Sequence, residues 1–201
     1  MKKGFAACGF LIAALAAACT LAPRDTGKAF MFALSPIKIT VQGKETASLV
    51  VALPTTSPEL DTYRIALMRE GGRWDYYAGA RWAEFMPWLV QDNLTKTLEY
   101  AQIFKTVTSD QSGIAGDKIL KAEIRAFHAE YAQGSNVPVV RVRMVISVLS
   151  RVERALLYSF SAAAERKAAG YSLTEIQTAF AAAFNAAQLQ VVDKLAEKEN
   201  R

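Results

Sequence analysis

The chain has 201 residues, of which 52% are hydrophobic and 21% charged, with a formal net charge of +5. That balance excludes a disordered, fibrous or disulfide-built chain and fits a single globular domain. One histidine, His128, and two cysteines, Cys8 and Cys19, are too few for a zinc centre of the usual three or four Cys and His ligands. A histidine-based nucleophilic triad would have to rest on His128 alone. The sequence therefore assigns no catalytic residue, no metal site and no cofactor.

The first residues read as an address. Met1-Lys2-Lys3 is a short basic start, and Gly4 to Ala18 follows without a charge, ending in Leu15-Ala16-Ala17-Ala18-Cys19. A basic n-region, an apolar stretch too short to span a bilayer and small residues before a cleavage point define a secretory signal peptide over 1–18. The cysteine directly after the small residues resembles a bacterial lipobox. In such a box the cysteine sulfur is diacylated, the leader is cut before it and the new amino group is acylated. Cys19 is thus the expected lipidation site, with 19–28 a lipidated Cys and tether. The alternative is a plain leader or N-terminal anchor with an incidental cysteine. Loss of Lys2 and Lys3 takes the net charge from +5 to +3, and no Lys/Arg cluster suggests nucleic-acid binding. Cys8 leaves with the leader and the Cys19 sulfur is consumed, so no disulfide is expected. Residues 20–28 contain Pro23 and Gly27 and extend to about 30 Å at most. Thr20, standing where Asp would signal retention, favours the periplasmic face of the outer membrane by resemblance to enterobacterial sorting rules.

The folded domain is expected over 29–201. Ala29–Leu34, Ser48–Leu53 and Tyr63–Met68 are short apolar runs bounded by turn residues, as strands are. Gly71-Gly72 marks a turn, across which Trp74–Tyr77 pairs back. From Arg81 to Ala101 the period changes, and Trp82, Phe85, Met86, Leu89, Val90, Leu94 and Leu98 recur every three or four residues on one helix face. Pro87 fits that helix if its regular part starts near Phe85. Ile119–Tyr131 alternates, with Leu120, Ala122, Ile124 and Ala126 on one side. Val137–Arg151 alternates more clearly, with Val140, Val142, Met144, Ile146 and Val148 facing in. Gly134-Ser135-Asn136 joins the two as a hairpin. Ala155–Ala164 is a further strand. Ser172-Leu173-Thr174-Glu175 is a capping-box pattern opening a last helix lined by Ile176, Phe180, Phe184, Ala187, Val191 and Leu195. The expected class is α+β: a largely antiparallel sheet with two main helices packed on one face.

Three stretches carry a resemblance: Asp61-Thr62-Tyr63-Arg64-Ile65-Ala66-Leu67, the run Trp74-Asp75-Tyr76-Tyr77-Ala78-Gly79-Ala80-Arg81-Trp82, and the following helix with Pro87. With the lipobox, Phe104-Lys105-Thr106-Val107, the Val139–Val148 strand and the alanine-rich last helix, they resemble the ABC-type transport auxiliary lipoprotein family. That family includes the paraquat-inducible lipoprotein group. The resemblance implies a non-enzymatic outer-membrane lipoprotein that accompanies an MCE-domain transporter moving phospholipid or other hydrophobic molecules between membranes. Docking to the MCE-domain periplasmic protein and homo-oligomerisation are further implications of the resemblance. Two other readings stay open: a direct lipid-binding module with an acyl-chain cavity between helices and sheet, and a structural envelope-assembly lipoprotein.

Besides Cys19, one cluster is a candidate for partner binding. Tyr76, Tyr77, Arg81 and Trp82 are residue types enriched at interface hot spots. The same spacing also allows Tyr76 and Trp82 to pack under the first helix while Tyr77 caps a strand end. Arg141 and Arg143, with Lys121 and Arg125 on the neighbouring strand, form a basic stripe or an ordinary solvated face that Glu123 and Glu130 partly neutralise. His128 reads as a hydrogen-bonded surface residue, and Gln111-Ser112-Gly113 as a turn.

Overall fold

The computed structural model describes residues 29–41 and 47–200. The expected leader, Cys19 and the expected tether lie outside the described residues. In chain order the described elements are β1 (Phe30–Phe32), β2 (Ser48–Val51), β3 (Thr55–Thr56), β4 (Arg64–Arg69), β5 (Arg73–Trp82), α1 (Met86–Ala101), β6 (Thr106–Ser109), β7 (Lys118–Glu130), β8 (Val139–Ser150), β9 (Ala155–Lys167) and α2 (Leu173–Glu199).

β7 organises the sheet. Along one side it pairs over its whole length with β8, antiparallel, and β8 pairs in the same way with β9. Along its other side it is shared in succession by β2, β3 and β4, all parallel to it, with Leu49 opposite Lys118, Thr55 opposite Glu123 and Leu67 opposite Ala129. β6 extends the sheet from β2, while β5 and then β1 extend it from β4. The fold is α+β as expected. The long antiparallel pairings carry most of the paired residues, and the short strands make the sheet mixed by joining in parallel.

Alternation explains which face is buried. In β8, Val140, Val142, Met144, Ile146 and Val148 are all buried, as their spacing predicts. In β7, Leu120, Ala122 and Ile124 face in, but the register against β8 shifts between Ile124 and Ala126. The shift inverts the alternation, so Phe127 and Ala129 take the inner side in place of the expected Ala126.

Both helices lie on that inner face, α1 against β2 and β6 and α2 against β8 and β9. They meet through a buried hydrogen bond in which the Thr97 hydroxyl donates to Gln188 Oε1 at 2.6 Å. α1 begins at Met86 with Pro87 in its first turn, where its missing N–H is harmless. Arg81 and Trp82 therefore end β5 rather than opening the helix, a correction to the periodicity reading. α2 begins as expected: the Ser172 side chain accepts from the Glu175 N–H, and Glu175 accepts from the Ser172 N–H.

β9 is a long edge strand, and α2 covers part of its free backbone. The Gln190 amide donates to the Ala163 carbonyl at 2.8 Å and accepts from its N–H at 3.0 Å, while Lys194 donates to the Ser161 carbonyl. Side chains of the helix thus take the place of a further strand and block edge-to-edge pairing there. At the foot of the sheet, Glu199 accepts from both Lys118 and Tyr158 and ties down the end of α2.

Candidate functional site

The candidate cluster lies on β5, and a local backbone irregularity decides where each of its members points. Arg64 opposes Arg81 and Ala66 opposes Tyr76, so β5 holds extra residues against β4. Gly79 sits in this bulge with φ +68, a left-handed conformation natural to glycine. The bulge reverses the inside–outside alternation. Tyr77 and Trp82, which simple alternation would place on opposite faces, both turn to the helix-bearing side, and Arg81 turns away. A Cβ at position 79 would meet nothing within 4 Å, so the cost of Gly79→Ala is purely conformational. We expect Gly79→Ala to lower the unfolding free energy by about 1–2 kcal/mol, read from urea unfolding. An unchanged midpoint would show that the backbone can relax without the left-handed residue.

Trp82 is 1% exposed and belongs to the core. Its ring centroid lies 5.1 Å from Phe180, 5.6 Å from Phe127 and 6.5 Å from Phe32, each edge to face. It packs beneath α2, and its burial leaves no surface for a partner.

Tyr76 lies on the opposite face, half-buried. Its hydroxyl donates to the Glu59 carbonyl at 3.1 Å, and the Arg64 guanidinium stacks on its ring at 3.8 Å. Tyr77 meets Tyr131, with the two phenol oxygens 2.8 Å apart. Burial first, and this hydrogen bond second, push the Tyr77 phenol well above the ordinary tyrosine value, so it stays protonated.

Tyr77 and Tyr131 line an open groove of about 840 Å³ between the β4–β5 turn and the β7–β8 turn. Arg69 and Asp75 form an ion pair there at 3.0 Å. The Tyr76 N–H, then Arg69, hold the Asp75 carboxyl below the usual carboxylate range. Tyr131 and Arg69 escaped the sequence reading because they come from other strands; only the hairpin position of Tyr131 hinted at its role. Arg81 is separate from the groove, exposed beside β1, where it donates to the Met31 sulfur at 3.4 Å. The four candidates thus divide among core, groove and sheet edge.

Half of the expected basic stripe is paired. Arg141 binds both Glu130 and Glu165, and Arg125 binds Glu123. This leaves Lys121 and Arg143 without an ion pair among the described residues. Asp117 accepts from the Ser48 N–H and hydroxyl at 2.8 and 2.7 Å, and Asp110 accepts from the Leu53 N–H at 3.0 Å, so both carboxylates staple loops. Asp110–Ser112 form a 3-10 turn closed by Gly113. Among the described residues no group of three or more His, Cys, Asp and Glu side chains gathers as a metal site.

His128 corrects the expectation of a hydrogen-bonded surface residue. The register shift in β7 turns it to the outer face, where it is buried edge-on against Trp74 at 4.9 Å. Its Nδ1 has no partner among the described residues. Burial lowers its pKa below the ordinary 6.5; Glu130 opposes this and Arg141 adds to it. As pH falls below about 6.5, the unfolded chain binds a proton that the folded state resists, so stability declines until the folded-state pKa is passed. We expect the urea midpoint to drop between about pH 7.5 and about pH 5.5, and His128→Phe to remove that part of the drop. An equal drop in the variant would assign it to other groups.

A mixed sheet carrying two helices on one face, with an open groove holding Tyr77, Tyr131 and the Arg69–Asp75 ion pair at one end, defines an α+β protein. Residues 32–196 match the family model described as the ABC-type transport auxiliary lipoprotein component, and the chain belongs to that family. No curated protein matches it. Among solved structures, a Xanthomonas campestris protein of family DUF330 is similar at 19% identity with a TM-score of 0.69, covering 85% of this chain and 94% of that one. An uncharacterized protein is similar at 14% identity with a TM-score of 0.62, covering 81% and 99%. At such identities these two establish the fold. The chain is therefore a membrane-associated lipoprotein and an ABC-transport auxiliary component by family. Among the described residues no helix is long and apolar enough to cross a membrane.

Proposed function

We propose that this lipoprotein is held by acylated Cys19 on the periplasmic face of the outer membrane. There it serves, without catalysing a reaction, as the auxiliary component of an MCE-type ABC system that moves phospholipid or other hydrophobic molecules between the two membranes. The observation that carries this reading is the family match over residues 32–196 behind a leader that ends Leu15-Ala16-Ala17-Ala18-Cys19. The groove between the two hairpin turns supports it. Arg69 and Asp75 are paired with each other there, and the Tyr77 phenol, raised by burial, shares a hydrogen bond with Tyr131, an arrangement that suits recognition of a partner surface better than bond making. In this reading Tyr77 is the partner-binding residue of the groove, with Tyr76 beside it, and homo-oligomerisation presents several copies of the groove to one MCE assembly.

The direct lipid-binding alternative requires room for an acyl chain between helices and sheet. That space holds the stacked rings of Phe127 and Phe180, 5.7 Å apart, with Trp82 and Phe184 against them. The packing favours the docking role. Crosslinking in intact cells followed by capture of the tagged chain tests it: an MCE-domain protein is expected among the crosslinked products and is expected to be lost in Tyr77→Ala. Efficient capture of the chain with no MCE-domain protein would refute the assignment.

A further inference from the structure

We propose that the free edge of β1, through Phe30 and Met31 with Arg81 and Arg64 beside them, is a second contact with the bilayer that holds the acyl chains. The inference rests on the anchoring reading of Cys19. Phe30 and Met31 are 66% and 61% exposed, on the strand that is outermost on its side of the sheet among the described residues. Neighbouring residues on a strand point to opposite faces. Both side chains are therefore buried together only by something that meets the edge itself, as a bilayer surface does and a groove in one face does not.

The surrounding charge fits an anionic phospholipid surface. Arg81 lies opposite Met31 on β5, and Arg64 lies opposite Arg81 on β4. Among the described residues neither guanidinium has a carboxylate within ion-pair distance; one touches the Met31 sulfur and the other the Tyr76 ring. Two unpaired cations flanking two apolar side chains form the combination that lies in a membrane interface.

Chain length adds the third argument. Position 30 follows Cys19 by a tether whose reach is about 30 Å at full extension. A body tied so closely to the membrane samples few orientations, and those with β1 towards the lipid bury its exposed apolar side chains. The tether supplies proximity, so the edge needs little affinity of its own.

The test tethers the mature chain chemically, through the Cys19 thiol, to a maleimide-bearing phosphatidylethanolamine in vesicles of phosphatidylethanolamine and phosphatidylglycerol. Photoreactive benzoylphenylalanine placed at position 30 is expected to crosslink lipid about tenfold more than the same group at position 84. That position is exposed and lies just beyond Ala83, whose N–H bonds the Phe32 carbonyl. Exchanging Arg64 and Arg81 for Gln is expected to lower the yield at position 30 severalfold on these vesicles and not on phosphatidylcholine. Equal lipid yields at the two positions would overturn the proposal. So would crosslinks from position 30 mainly to a second copy of the chain, which would make the edge a protein interface. Because the tether is made chemically, the mass of the cellular N-terminal peptide separately decides whether Cys19 is acylated in the organism.

Discussion

Trp82→Ala lowers the unfolding free energy by about 3–5 kcal/mol, the largest single-residue loss of stability expected in the described domain. The tryptophan is 1% exposed and touches rings from three other elements: Phe32 of β1, Phe127 of β7 and Phe180 of α2. Removing it takes away both its transfer free energy and the edge-to-face contacts, and leaves a cavity that α2 cannot close while Gln190 and Lys194 hold it to β9. Against a typical total of about 5–15 kcal/mol, such a loss leaves a marginal fold. Trp88→Ala is the control, because Trp88 is partly exposed on α1 and is expected to cost under about 1 kcal/mol. Urea unfolding followed by circular dichroism reads both. A loss at position 82 no greater than at position 88 would show that the aromatic cluster is not the centre of the core.

Cys19→Ser, exported behind a leader whose cleavage does not depend on the cysteine, is expected to move the protein from the membrane fraction to the soluble periplasm if, as proposed, acylation of Cys19 is the anchor. Each buried acyl CH₂ contributes about 0.8 kcal/mol, and two or more chains together make anchoring stable. No helix among the described residues replaces them. The β1 edge by itself offers two side chains, far less apolar surface than an acyl chain. Fractionation of cells and the mass of the N-terminal peptide measure the outcome. An unmodified wild-type cysteine, or a serine variant that stays wholly with the membrane, would refute lipid anchoring.

The legible parts of the fold were those set by neighbours in sequence. The alternation of β8, the capping box of α2, the Gly71-Gly72 turn and Pro87 in the first turn of α1 each follow from the few residues around them. Two backbone irregularities were not legible. The shift in β7 after Ile124 and the bulge at Gly79 in β5 each invert which face a side chain occupies. With them went the positions of Phe127, His128, Arg81 and Trp82. A periodicity count assumes an unbroken strand, and a bulge breaks it without changing the composition. The same assumption let Arg81 and Trp82 be read as the start of a helix.

The candidate site divides in the same manner. Residue types alone marked Tyr76, Tyr77, Arg81 and Trp82, but their distribution among groove, edge and core depends on contacts with Tyr131, Met31 and Phe180, each about fifty or more residues away in sequence. The parallel joining of β2, β3 and β4 along one side of β7 is likewise a long-range choice that no local pattern encodes. By itself the sequence determined the elements and their inward faces where strands run unbroken, because those depend on local geometry and short-range chemistry. Tertiary structure alone decided strand order, the two inversions of alternation and the surfaces left exposed, because those depend on which distant segments displace water from one another.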